Sequence, residues 1–66
     1  MSYGFKEDLM ELKNETKEDF ASKVFEMGYF AEILFNKVFV SDRENKHDAM
    51  AVFDDNNNFV LLEFAE

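Results

Sequence analysis

Apolar side chains recur along residues 5–27 at helical spacing. At about 100° per residue, Phe5, Leu9, Leu12, Thr16, Phe20, Val24 and Met27 form a stripe roughly 120° wide. Glu7, Asp8, Glu11, Glu15, Glu18, Asp19 and Glu26 fill a neighbouring arc of similar width, while Lys6, Lys13 and Lys17 lie on the far flank of the stripe. This pattern predicts an amphipathic helix with its charges sorted by sign. Two signals compete near its middle. Thr16-Lys17-Glu18-Asp19 resembles a capping box with Asp in place of Glu, which favours a split near Asn14–Thr16. The stripe nevertheless keeps phase through Thr16 with no Gly or Pro, which favours one continuous, kinked helix. Ser2 is the expected cap, Met1 to Gly4 are expected to be loose, and Gly28 is the expected terminator.

Beyond Gly28 the period changes. Tyr29 to Ser41 is rich in Phe, Ile and Val, as in one long strand or two short ones with a bulge near Asn36 and Lys37. Neither face of that stretch is polar throughout, so one face is expected on the helix and the other against a second copy. A charged loop follows over Ser41 to His47. Asp48 to Asp54 alternates as a strand, with Ala49, Ala51 and Phe53 on one side. Asp54-Asp55-Asn56-Asn57-Asn58 is turn chemistry, and Phe59 to Ala65 is a strand with Val60, Leu62 and Phe64 facing together. The expected fold is α+β: one N-terminal helix on a three-stranded antiparallel meander, with residues 1–66 as a single small domain.

Composition sharpens the picture. Nine Phe and two Tyr in 66 residues exceed what so small an interior hides, which points to an interface and to a homodimer. Fifteen acids against seven bases give a net charge of −8. That balance disfavours direct binding to nucleic acid or to an anionic membrane, and favours a basic protein partner or solubility alone. No cysteine is present, so disulfides and thiolate metal sites are excluded. No early apolar run reads as a signal peptide and no stretch is long enough to span a membrane, so a cytoplasmic location is expected (host cytoplasm for a viral protein). Asn14-Glu15-Thr16 fits the glycosylation pattern only by chance in that setting.

Chemistry-bearing motifs are sparse. Asp54–Asn58 imitates the opening of an EF-hand, but Phe59 stands where the turn Gly is needed and Ala65 where the bidentate Glu belongs, so a hairpin turn is expected. His47 has no placed nucleophile or second base and reads as a solvated loop residue. Met10 falls outside the apolar stripe, while Met27 and Met50 are expected in the core. Asp48 and Glu63-Phe64-Ala65, on successive predicted strands after a helix, resemble the layout of PD-(D/E)XK nucleases. That resemblance implies two carboxylates holding Mg²⁺ and a Lys steadying the attacking water; Ala65 replaces the Lys, which reduces the pair to a nuclease-like remnant. No cofactor, metal or catalytic residue is otherwise implied, and no enzymatic activity is expected.

The acidic face carries the leading functional expectation. Its seven carboxylates spread over about 28 Å of helix, roughly one per 4 Å, against about one phosphate per 3.4 Å of a DNA strand. A protein-binding module follows, of the style of phage-encoded inhibitors that occupy a basic nucleic-acid site on a larger protein by DNA mimicry. Glu7, Glu11, Glu15 and Glu18 would pair with the target's Lys or Arg, with Asp8, Asp19 and Glu26 at the margin and Tyr29 and Phe30 as aromatic anchors. The alternative is a homodimeric assembly module in which the acids only solubilise the chain. The nuclease-like remnant stands a distant third.

Overall fold

A computed structural model describes residues 4–44 and 46–65; Ser2, the expected cap, lies outside them. Along the chain run α1 (Gly4–Met10), α2 (Lys17–Glu26), β1 (Phe30–Leu34), β2 (Lys37–Asp42), β3 (His47–Phe53) and β4 (Phe59–Ala65). The strands form one antiparallel sheet in the order β1-β2-β3-β4. The class is α+β, with one helix and one strand more than expected.

The extra helix arises because the cap prevails over the periodic stripe. Residues 11–14 turn, and Thr16 adopts extended backbone with its hydroxyl accepting from the Asp19 amide at 3.4 Å. That cap satisfies a donor which a continuous helix would have committed to its own ladder. Leu9 and Leu12 still reach the core beside Phe20 and Val24, whereas Thr16 is exposed. Met27 is exposed rather than in the core. At the far end Gly28 takes φ 99; its amide donates to the Phe25 carbonyl at 3.0 Å and that of Tyr29 to Val24 at 3.2 Å. This paired arrangement is a Schellman ending, as Gly28 foretold.

The extra strand comes from a two-residue hairpin. Leu34 pairs with Lys37, and Phe35 supplies a positive φ of 58 where Gly or Asn is usual. The bulge expected near Asn36 and Lys37 is therefore a full reversal. Asn36 ties this tip to β3: its side chain donates to the Phe53 carbonyl at 3.0 Å and its own carbonyl accepts from the Phe53 amide at 2.7 Å. The turn between β3 and β4 is built as expected, with one Asp54 carboxylate oxygen accepting from the Asn56 and Asn58 amides at 2.9 Å each. Those bonds, first of all the one from Asn58, hold the Asp54 carboxyl below its ordinary pKa.

Both hairpin tips meet the start of α2. The Lys17 amide donates to the Asn57 carbonyl at 3.2 Å, and its ammonium to the Phe35 carbonyl at 2.8 Å. Beneath the helices lie Val38 and Val40 of β2 and Ala49, Ala51 and Phe53 of β3, all buried. Small residues at 49 and 51 leave room in this cluster for the larger apolar side chains. A register shift opposite Val52/Phe53 places Leu62 and Phe64 against the core but leaves Val60 exposed, which corrects the expected grouping of Val60 with them. Gly28→Ala tests the helix ending. A Cβ there would meet nothing within 4 Å, so the cost is conformational, about 1–2 kcal/mol read from the denaturant midpoint with the m-value unchanged.

Candidate protein-interaction surface

Division of the helix redistributes the predicted acidic site. Glu7 and Asp8 sit on α1, Glu11 and Glu15 in the turn, and Glu18, Asp19 and Glu26 on α2. No single rod carries all seven, so the phosphate-like spacing calculated for one helix no longer applies. Two of them are engaged within the chain. Glu15 lies 3.4 Å from the Lys23 ammonium. Asp8 accepts a 2.7 Å hydrogen bond from the Tyr29 hydroxyl. Glu7, Glu11, Glu18, Asp19 and Glu26 remain exposed.

Tyr29 is thus a tie between α1 and the start of the sheet rather than an exposed anchor. Its ring meets Phe5 edge to face at 5.2 Å between centroids. Burial, the bond to Asp8 and the charges of Asp8 and Asp42 push its pKa up to about 12. Phe30 is exposed as expected and carries the Arg43 guanidinium 5.4 Å above its ring. His47, expected in a loop, opens β3 opposite Asp42 and stacks on Phe5 at 5.6 Å.

The strand register defines a second surface. Phe30, Glu32, Leu34, Lys37, Phe39, Ser41, Asp48, Met50, Val52, Leu61, Glu63 and Ala65 share the sheet face opposite the helices. Phe30, Leu34, Phe39 and Leu61 are exposed there, and Met50 is half-buried by its strand neighbours rather than placed in the core. Their apolar surface is on the order of 400 Å², comparable with the largest patch on a typical monomer. Asp48 and Glu63 also lie on this face, on adjacent strands, and Asp48 accepts from the Ser41 hydroxyl at 3.0 Å. Among the described residues no group of three or more His, Cys, Asp or Glu is placed to hold a metal ion.

A third feature is the outer edge of β1. Leu34–Lys37 closes a two-residue hairpin and is therefore a hydrogen-bonded pair, so the alternation turns the backbone groups of Ala31 and Ile33 away from β2. Beside that edge, α2 and β1 enclose an open groove lined by Ala21, Ser22, Phe25, Ala31 and Ile33, with Glu18 and Glu26 also bordering it. Phe25 is 71 % exposed and Ile33 45 %. The sequence signal for this groove was Phe25 itself, a large apolar residue off the helix's buried stripe. Edge and groove go unnoticed when residues 29–41 are read as one strand.

No protein-family model matches the chain, nor does any curated protein or solved structure. Among the described residues no helix is long and apolar enough to cross a membrane.

The Tyr29–Asp8 tie has a pH signature. The folded state keeps the phenol neutral to about pH 12 while an unfolded Tyr ionises near pH 10. Its contribution is therefore intact below pH 10 and lost between about pH 10 and 12. Absorbance at 295 nm in a Tyr3→Phe background should show a midpoint near 12 that falls towards 10 in urea. Tyr29→Phe should cost about 1 kcal/mol at neutral pH and remove this alkaline loss.

Proposed function

We propose that the protein is a non-catalytic interaction module that works as a homodimer, joined through the sheet face opposite its helices. The exposed row of Phe30, Leu34, Phe39 and Leu61 is the observation that carries this reading. Four strands about 4.8 Å apart and roughly 20 Å long give on the order of 400 Å² of plan area per copy. Two such faces, roughened by side chains, bury on the order of 1,000 Å², the threshold of a specific interface. Lys37 on this face supplies a cation for Glu32, Asp48 or Glu63 of a second copy. A second copy also matches the aromatic excess of the composition.

The reading as a phage-type inhibitor imitating DNA takes second place. It requires carboxylates ordered along one rod, whereas those groups belong to two helices and a turn. What survives of it is a preference for basic partners, supported by the net charge of −8.

Sedimentation equilibrium at about 10–100 µM should show a dimer that tightens as salt rises, because screening relieves repulsion between two acidic chains. Phe39→Lys or Leu61→Lys should raise the dissociation constant about 30-fold or more with an unchanged circular dichroism spectrum. A monomer throughout that range, or a dimer indifferent to both substitutions, contradicts the proposal.

A further inference from the structure

We propose that the free edge of β1 takes an extended segment of a partner protein as a fifth strand, and that the segment carries basic, apolar and basic residues at alternate positions. The inference goes beyond dimerisation, because the groove beside this edge lies on the helix side of the sheet.

Three observations converge on that edge. Ala31 and Ile33 turn their amides and carbonyls outward, the arrangement by which an added strand gains main-chain hydrogen bonds. Natural edges are usually blunted by Lys, Pro or a bulge, yet β1 reads Phe-Ala-Glu-Ile-Leu, pairs with β2 without a register shift, and has Glu32 as its only charge. The groove alongside offers Ala21, Phe25 and Ile33 as an apolar floor. An added strand would place every second side chain into it.

The spacing of the acids specifies the occupant. Glu18 and Glu26 both border the groove and stand eight residues apart on α2, about 12 Å along the axis. Side chains i and i+4 on one face of a strand are about 13 Å apart. A segment with Lys or Arg at i and i+4 therefore meets both carboxylates, while an apolar residue at i+2 meets Phe25 and Ile33. The pattern reads alike in either chain direction. Lys17 is turned to the Phe35 carbonyl and Arg43 lies over Phe30, so these cations occupy positions near the two ends of β1. A second copy fits this edge poorly. Joined edge to edge, two chains would set Glu18, Glu26 and Glu32 of each against the same three of the other.

The probe is the capped peptide Thr-Lys-Thr-Ile-Thr-Lys-Thr, titrated into the isotope-labelled full chain and followed by amide chemical shifts. Saturable shifts should centre on β1 and α2 and weaken with salt, opposite to the response of the dimer. Exchanging the Ile with one Lys, as in Thr-Ile-Thr-Lys-Thr-Lys-Thr, should weaken binding about tenfold or more, as should Glu18→Lys combined with Glu26→Lys. N-methylating one alternate set of peptide amides should abolish binding, and methylating the other set should leave it. Ile33→Pro should also abolish it, since the lost amide faces away from β2. No saturable shift with either peptide, equal binding of both, indifference to the charge reversal, or equal effects of the two methylated sets overturns the proposal. Shifts at β1 that grow with protein concentration alone would assign the edge to a second copy and overturn it as well. Loss of dimerisation in Phe39→Lys without loss of peptide binding separates this inference from the preceding one.

Discussion

Two short helices cannot shield both sides of a four-stranded sheet, and the rest of the structure follows from that shortage of cover. A helix with its side chains is about 10 Å across, and four strands are about 19 Å wide. α1 and α2 together thus suffice for one face, and both are spent on it: Phe5, Leu9, Leu12, Phe20 and Val24 share one cluster with Val38, Val40, Ala49, Ala51 and Phe53. Among the described residues no element covers the opposite face, yet its side chains remain as apolar as Phe39 and Leu61. Of the nine Phe, Phe30 and Phe39 lie on that face.

With so little core, position is held by point ties. The start of α2 is gripped by both hairpin tips through Asn57 and Phe35, and α1 is held by Tyr29 through Asp8 and Phe5. Each helix is thus held at one point by hydrogen bonds and otherwise by packing. They also settle which acids are free. Asp8 and Glu15 are occupied with Tyr29 and Lys23, while Glu18 and Glu26 face the groove at β1.

Much of this was legible in the residues, and the failures have physical causes. Gly28, the Asp54–Asn58 turn and the alternation of Ala49, Ala51 and Phe53 are local signals, and the structure follows them. The helix break was visible as a cap at Thr16 but masked by a stripe that stays in phase, because the turn over 11–14 returns the chain with Phe20 beside Leu9 and Leu12. The hairpin at Phe35 is signalled only as a bulge near Asn36 and Lys37, since a Phe at positive φ is not turn chemistry; long-range bonds from Lys17 and Asn36 hold that tip. Val60 could not be placed because a bulge inverts the strand's alternation beyond it. A continuous acidic face needs a helix longer than the one that forms.

In the proposed function, apolar area on the sheet takes the place of charge along a rod, and in the further proposal charge selects the strand that joins at the sheet's edge. The proposed homodimer covers the face bearing Phe39, Met50 and Leu61 with a second copy. An isotope-filtered NOE experiment on a mixture of carbon-13-labelled and unlabelled chains tests this most directly. Such a dimer should give intermolecular contacts from the Phe39 ring to the side chains of Met50 and Leu61. Contacts confined to single chains, with the Leu61 methyls meeting only water, would contradict it.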